Sequence, residues 1–264
     1  MNLNTTESQA AKRWPRLLFM VLMLLLIALL FYFMPKIKGI KPNPLTGEAG
    51  DLLYISSFEA YEDEWELYPG MLKAEIVDGQ MQLSGQGGIP FSSTRPYFED
   101  FDLRVDASAF ENPNNDGYGV ILSMQDPNNM LVFEISSDGY YRVSQLNQGF
   151  SKIISTWIPS EAIRQGLGVS NQIRVVRKDD QYYFFVNDQA LQLCLPDKPE
   201  GTSTFTATGE CLGKLVDSLE HDLFDTGHLG LMADASSANV VIGFDNFIVT
   251  YPKELIVEID GNDT

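Results

Sequence analysis

The chain has 264 residues, with 36 acidic and 18 basic side chains and a formal net charge of −18 at pH 7. The charge is concentrated beyond residue 50, where 34 acidic residues stand against 12 basic ones, a difference of 34 − 12 = 22. A surface this acidic repels nucleic acid and anionic lipid headgroups, so we expect no nucleic-acid partner. Neutral glycans, cations and basic proteins fit it better, although solubility alone is the simpler explanation.

The first element in chain order is the uncharged apolar run Leu17–Met34. At about 1.5 Å per residue, the run and its flanking residues are just long enough to cross a membrane as one helix. The run ends in aromatic residues and Pro35 rather than in the small residues of a cleavage site, and the first cysteine is Cys194. We therefore predict a retained signal-anchor, with a single transmembrane helix at 17–37.

The positive-inside rule hardly favours either orientation of this helix, because three basic residues flank each end. The short leading segment and a cysteine pair further along favour a cytoplasmic tail at 1–16 and an extracytoplasmic C-terminal domain. Prolines and glycines predict a linker at 38–50. We expect one domain at 51–251, followed by an acidic tail at 252–264.

The domain shows alternating apolar and polar residues, which is the period of a half-buried strand. Turn signals such as Asp78-Gly79, Asp138-Gly139 and Asn187-Asp188 separate the alternating runs. Many short strands without intervening helices predict an all-β jelly-roll sandwich of two antiparallel sheets. The predicted strands are Phe101–Ala109, Tyr118–Met124, Met130–Ile135, Tyr140–Leu146, Gln172–Val176, Tyr182–Val186, Leu229–Ala233 and Val240–Thr250.

Several of these runs form a pattern that resembles the concanavalin A-like lectin/glucanase jelly roll, in particular laminin-G-like and 3-keto-disaccharide-hydrolase-like domains. The resemblance covers roughly 52–251 and concerns the order of strands rather than a catalytic motif, so it implies fold more than function. The segments that carry it are Asp116-Gly117-Tyr118-Gly119-Val120, Met130–Ile135, Asp138–Val143, Gly227–Ala233 and Phe244–Val249.

The chain departs from that pattern at 195–226, where we predict an insertion that contains a helix at Gly213–Phe224. Cys194 and Cys211 bracket part of this insertion, and we predict a disulfide between them. Two free thiols are one alternative. The other is a metal site formed with His221 and His228, the only histidines, although their wide spacing is unlike that of structural zinc.

Carboxylates at 59–66 raise the question of a glycosidase, which needs two of them at a controlled separation. They do not match the Glu-x-Asp-x-x-Glu-type motif of jelly-roll glucanases, and a solvated loop with Trp65 packed inward is the alternative. Calcium binding explains such carboxylate oxygens better than catalysis does. The resemblance to sugar-binding sandwiches implies Glu59 and Asp245 as calcium ligands, while a strand bulge at Asp245-Asn246 is the alternative.

Aromatic side chains are the candidates for ligand contact, because rings stack on the apolar faces of sugars. We predict Tyr118, Tyr140 and Trp157 as ligand-binding residues, with core packing as the alternative for each. Tyr140 and Tyr141 are adjacent on one strand, so at most one of them lines a given face.

These observations predict a membrane-anchored, non-enzymatic module that binds carbohydrate or another surface ligand. The alternatives are a glycoside-hydrolase-like enzyme, which the resemblance implies, and a structural or adhesive domain that binds protein. No catalytic residue is assigned.

Overall fold

The structure is a computed structural model, and it describes residues 14–33, 43–59, 64–198 and 200–254. The chain divides into two compact units, Met1–Pro42 and Asn43–Thr264. In the first unit, helix α1 spans Trp14–Phe33. The described residues contain no helix with both the length and the apolarity needed to cross a membrane. The predicted segment at 17–37 and the predicted tail at 252–264 both extend outside the described residues.

The second unit consists of strands and loops, and all eight predicted strands are confirmed, most with ends within one or two residues of the prediction. The strands are β1 Leu52–Ser56, β2 Leu72–Val77, β3 Gln80–Gly85, β4 Phe91–Ser93, β5 Phe101–Glu111, β6 Tyr118–Asp126, β7 Asn129–Ile135, β8 Tyr140–Asn147, β9 Phe150–Pro159, β10 Ser170–Lys178, β11 Gln181–Val186, β12 Gln189–Leu191, β13 Leu193–Leu195, β14 Lys214–Val216, β15 Leu219–Glu220, β16 His228–Ala233 and β17 Val240–Thr250.

Two antiparallel sheets form the body of this unit. The first sheet has the order β12-β11-β10-β5-β17-β3-β2, with β1 also paired to β17 and β15 to β11. The second sheet has the order β4-β16-β6-β7-β8-β9. Neighbours within each sheet run antiparallel, and the predicted sandwich of two antiparallel sheets is confirmed.

The core lies between the inner faces of the two sheets. In the second sheet, Val120 on β6, Phe133 on β7 and Val143 on β8 are fully buried in it. In the first sheet, Leu103 and Val105 on β5 are buried in the same cluster. Because side chains alternate along a strand, the residues between those of the second sheet point to its outer face.

The insertion at 195–226 contains no helix in its described residues, so the predicted helix at Gly213–Phe224 is wrong. The segment instead forms β14, which pairs with β13, and β15, which joins the first sheet. The apolar residues do not share one face, because Leu219 is 5% exposed whereas Leu215 and Leu223 are 48% and 47% exposed. Pairing with neighbouring strands satisfies the backbone of this segment and replaces the helix.

The predicted disulfide is confirmed between Cys194 and Cys211, whose Cα atoms are 5.6 Å apart. It closes the insertion over a sequence separation of 17 residues. The metal alternative is wrong, because both thiols are consumed by the bridge. His221 is instead a buried neighbour of Tyr182 and Gln145, and burial lowers the pKa of its imidazole.

Candidate ligand-binding face

The outer face of the second sheet carries the candidate site. On β8, Tyr141 and Val143 are buried in the core, so Tyr140 and Arg142 lie on the opposite, outer face. On β7 the same alternation places Glu134 outside, next to the buried Phe133. The cross-strand pairing brings Glu134 directly opposite Arg142.

At one end of this face is a pocket of about 240 Å³, which we call the aromatic–amide pocket. Tyr140 is 38% exposed there, and Trp157 is half-buried. Two aromatic rings combined with amide, hydroxyl and carboxylate groups are the side-chain types that hold a polar ligand with apolar ring faces. The pocket is lined by Asn114, Asn115, Ser136, Asp138, Tyr140 and Trp157.

A tight turn between β7 and β8 positions one wall of the pocket. The Ser136 hydroxyl donates to the Asp138 carboxylate at 2.5 Å and accepts from the Tyr140 backbone N–H at 3.1 Å. Gly139 supplies the positive φ of 92° that the turn needs. The turn therefore fixes Asp138 and Tyr140 relative to each other, as the Asp138-Gly139 signal predicts.

The loop between β5 and β6 forms the opposite wall. The Asn112 side chain holds this loop closed by donating to the Asp116 carbonyl and accepting from the Asp116 N–H, both at 2.8 Å. Asn115 accepts a hydrogen bond from the Ser137 hydroxyl at 3.1 Å, which ties the loop to the β7–β8 turn. Asn114 donates to the Ser237 hydroxyl, which donates in turn to the Asp116 carboxylate. The two amides are therefore held in place by neighbouring side chains.

Beside the pocket, the half-buried Arg142 forms an ion pair with the buried Glu134. Arg142 donates from Nε and Nη2 to the two carboxylate oxygens of Glu134, at 2.6 and 3.1 Å. Glu134 is 1% exposed, and burial raises the pKa of its carboxyl group, against the opposing effect of Arg142. The Arg142 guanidinium also lies 4.6 Å from the ring centroid of Trp157, within cation–π range. The ion pair and the stacking together orient the Trp157 ring.

Gly117 allows this arrangement because its backbone passes close to the buried groups. A Cβ atom at this position would lie 2.5 Å from Glu134 Oε1 and 3.1 Å from the Trp157 ring. Any larger residue would therefore displace the ion pair or the indole.

The three predicted ligand-binding aromatics divide between surface and core. The structure brings Tyr140 and Trp157 together in one pocket. Tyr118 is 1% exposed and belongs to the main core, and burial raises the pKa of its hydroxyl to about 12. Its ring therefore offers no face to a ligand on the outer surface.

The predicted calcium ligands lie apart from this pocket. Glu59 is exposed beside Gly79, and Asp245 lies on β17 in the first sheet. A register shift begins at Asp245, and Asn246 has a φ of 53°, so the bulge considered as the alternative is present. Among the described residues, no group of three or more His, Cys, Asp or Glu side chains is arranged to hold a metal ion. Two carboxylates do not supply the six to eight oxygens that Ca²⁺ takes, so the fit is incomplete and calcium stays a prediction.

The acidic segment at 59–66 is only partly described, because 60–63 lie outside the described residues. Trp65 is 2% exposed and packs edge-on against Phe247 with ring centroids 4.9 Å apart. The inward packing expected for Trp65 is confirmed.

The sequence did not single out the amides, the turn polar groups or the ion pair of this site. Side chains alternate between the two faces of a strand, so the sequence of β8 already indicates that Arg142 lies on the same face as Tyr140. The contribution of Asn114 and Asn115 depends on how the β5–β6 loop folds back, which no local pattern specifies.

Comparison with known proteins places the fold. No protein-family model matches the sequence, and no curated protein matches it. Among solved structures, the chain is similar to the carbohydrate binding module CBM66 from Bacillus subtilis, with a TM-score of 0.50 and 13% identity, covering 71% of this chain and 95% of the module. It is also similar to a Bacillus subtilis protein of unknown function with a galectin-like fold, with a TM-score of 0.52 and 13% identity over 77% and 97%. These likenesses concern the fold alone, and they are consistent with the expected jelly-roll sandwich.

Proposed function

We propose that the protein binds carbohydrate in the aromatic–amide pocket as a non-enzymatic module. The observation that carries the proposal is the convergence of Tyr140 and Trp157 with two asparagine amides and an aspartate in one pocket. The similar solved structures include the carbohydrate binding module CBM66, which supports the same class of ligand.

The chemistry of the pocket matches a sugar ring. The C–H groups on one face of a pyranose pack against an aromatic ring, while the hydroxyl groups around its edge need donors and acceptors. In the pocket, the amides of Asn114 and Asn115 supply both kinds of group, and Asp138 supplies acceptors. The ion pair of Arg142 with the buried Glu134 keeps Trp157 in place before a ligand arrives, which lowers the entropic cost of binding.

A glycan array followed by calorimetry tests the proposal. We expect Tyr140→Ala and Trp157→Ala each to weaken binding of the best saccharide by roughly tenfold or more, since a buried aromatic contact contributes on the order of 1.5–3 kcal/mol. Tyr140→Phe should retain most of the affinity if ring stacking is the main contribution.

Tyr183→Ala is the matched control, because Tyr183 is a partly exposed tyrosine on β11 of the other sheet. This variant should bind the saccharide like the wild-type protein. Full affinity in Tyr140→Ala, or an array on which no saccharide binds, would contradict the proposal.

Catalysis is the competing proposal, and an activity assay on the same protein distinguishes it from binding alone. The buried carboxylate of this face, Glu134, is bound through both oxygens to Arg142, which favours a supporting role. Release of reducing ends from a glycoside panel, lost in Glu134→Gln, would favour an enzyme instead.

The membrane tether at 17–37 is a separate proposal. It rests on the absence of charged residues in the run 17–34 and on the apolar side chains of 18–27, which are exposed on α1. Protease protection of the full chain in vesicles tests both insertion and the extracytoplasmic placement of the second unit. Recovery of the protein in the aqueous fraction after alkaline washing would contradict the tether.

A further inference from the structure

A chain of hydrogen bonds that starts at Asp116 fixes one amide of the aromatic–amide pocket. A carboxylate only accepts hydrogen bonds, so the Ser237 hydroxyl must donate its single hydrogen to Asp116. In its 3.0 Å contact with Asn114, the Ser237 oxygen then accepts, and the Asn114 amide nitrogen is the donor. The Asn114 side chain is thereby held in one orientation, and its carbonyl oxygen has no hydrogen-bond partner among the described residues.

Asp138 adds a second acceptor to the same pocket. Its Oδ1 atom accepts from the Ser136 hydroxyl, whereas its Oδ2 atom has no hydrogen-bond partner among the described residues. None of the described residues that line the pocket is basic, and the nearby Arg142 is paired with Glu134. The pocket therefore offers a ligand one carboxylate oxygen and one amide oxygen, without a positive charge in the lining beside them.

A protonated amine suits these two acceptors better than a hydroxyl group does. An ammonium group has three donors and a positive charge, whereas a hydroxyl group has one donor and no charge. Hydrogen bonds with an ionised partner are roughly twice as strong as those between neutral groups. The ring of Tyr140, which is exposed in the pocket, also attracts a cation.

The charge of the surrounding surface acts in the same direction. Acidic residues greatly outnumber basic ones beyond residue 50, so the potential around the second unit is negative. Asp116, which lies behind Ser237, adds a negative charge close to the pocket wall. A cationic ligand is therefore attracted both from a distance and at the site.

We propose that the aromatic–amide pocket selects saccharides that carry a free amino group, which are amino sugars without an N-acetyl group. Asp138 and Asn114 hold the ammonium group of the sugar. Asp116 and Ser237 are positioning residues, because they act by fixing the Asn114 amide. This inference rests on the proposed function, since it concerns the ligand of the same pocket.

Matched pairs of saccharides test the selection. Tetrasaccharides of glucosamine and glucose with the same linkage differ only in an amino group or a hydroxyl group at C2, and galactosamine and galactose give a second pair. In a pair that binds, calorimetry at low salt should show the amino form binding roughly tenfold more tightly than the hydroxyl form. The affinity for the amino form should fall as salt is added.

The outcomes of this test separate the inference from the proposed function. Equal affinities, tighter binding of the hydroxyl form, or an array on which other saccharides bind but no amino sugar does would overturn the inference and leave the proposed function intact. If no saccharide binds at all, the proposed function is wrong, and the inference falls with it.

A matched pair of aspartate variants tests where the amino group binds. Asp138→Asn keeps an oxygen for the Ser136 hydroxyl but removes the charge, so the ratio of the amino-form to the hydroxyl-form affinity should fall toward one. Asp78→Asn is the control, because Asp78 is exposed at the β2–β3 turn of the other sheet and has a φ of 52°, which asparagine tolerates. It changes the net charge equally and should keep the ratio. An equal fall in both variants would show that the general charge, rather than Asp138, is responsible.

Two variants of Ser237 test the positioning of the amide. Ser237→Ala removes the acceptor that holds the Asn114 nitrogen, so the amide can turn, and the affinity ratio should fall by roughly threefold. Ser237→Thr keeps the hydroxyl group and should retain the ratio. Ser237 is exposed, so both variants should fold, and thermal unfolding checks this. An unchanged ratio in Ser237→Ala would show that Ser237 does not position Asn114 for the ligand.

Discussion

At the residue scale, Arg142 connects the parts of the candidate site. Its guanidinium binds the buried Glu134 carboxylate through two hydrogen bonds and lies against the Trp157 ring. The pairing with Arg142 offsets the cost of burying the Glu134 carboxylate. Without Arg142, the carboxylate would be a buried charge with little access to water. Arg142 therefore supports both the stability of the second sheet and the orientation of the proposed sugar-stacking ring.

We predict that Arg142→Met destabilises the protein by about 3 kcal/mol at pH 8, near the lower end of what breaking a buried pair costs. Burial holds the pKa of Glu134 above its ordinary value, and the variant removes the group that opposes this shift. A carboxyl group with a raised folded-state pKa contributes stability at low pH, which is lost as the pH rises through that pKa. The deficit should therefore shrink as the pH falls from 8 to 5, as measured by urea unfolding.

The double variant Arg142→Met with Glu134→Gln is the control, because it removes the charge together with its partner. It should recover much of the lost stability at pH 8 and show no such dependence on pH. A deficit that is the same at pH 8 and pH 5 would show that lost packing, rather than the unpaired carboxylate, is the cause.

At the element scale, the insertion protects the edge strand β9. The Ser203 hydroxyl accepts a hydrogen bond from the Thr156 N–H at 2.9 Å and donates to the Cys194 carbonyl. The backbone of β9 is thus covered next to Trp157, where an open strand edge would invite pairing with another chain. The Cys194–Cys211 bridge holds the loop that carries Ser203 in this position.

We predict that replacing Cys194 and Cys211 by alanine lowers the free energy of unfolding by about 3 kcal/mol, the chain-entropy expectation for a loop of this size. Thermal unfolding with and without reductant measures the effect. Reduction should lower the stability of the wild-type protein by a similar amount and should leave the double variant unchanged. If reductant has no effect on the wild-type protein, the bridge does not contribute to stability.

The strands that could be predicted from the sequence are those with one buried and one exposed face, or those that end at a turn requiring a positive φ. In β5, buried residues alternate with Arg104 and Asp106, and at the β11–β12 turn Asn187 and Asp188 both have positive φ. Strand β4 has only three residues, and four consecutive residues of β9 are exposed. Neither strand therefore shows a run of alternating apolar and polar residues long enough to identify it in the sequence.

The candidate site was predictable only in part for a related reason. Tyr118, Tyr140 and Trp157 are equally aromatic in the sequence, and only the register of the strands decides which ring faces outward. Tyr118 pairs with Ile135 and Ala233 and points into the core, whereas Tyr140 is the first residue of β8 and directly follows the β7–β8 turn. The helix at Gly213–Phe224 failed because β13 offers its backbone as a partner, a tertiary effect that overrides local periodicity.

At the scale of the whole molecule, the negative charge of the second unit acts on any ligand that approaches. Three carboxylates lie near the proposed sugar site: Asp138 lines the pocket, Asp116 supports its wall, and Asp234 interacts electrostatically with Arg142. The pairing of Arg142 with Glu134 leaves the local positive charge compensated. The net negative charge of the second unit and the three carboxylates near the pocket therefore both disfavour binding of an anionic glycan.

We predict that a neutral saccharide binds more tightly than its sulfated counterpart, and that the difference depends on salt. At an ionic strength of about 0.01 M the Debye length is about 30 Å, so the whole acidic surface repels the sulfated ligand. At about 1 M it is about 3 Å, and only direct neighbours still act. Calorimetry should then show the affinity for the sulfated saccharide rising with salt while that for the neutral one stays nearly constant. Tighter binding of the sulfated form at low salt would instead mean that Arg142 leaves Glu134 to bind the ligand, and Arg142→Met would abolish that preference.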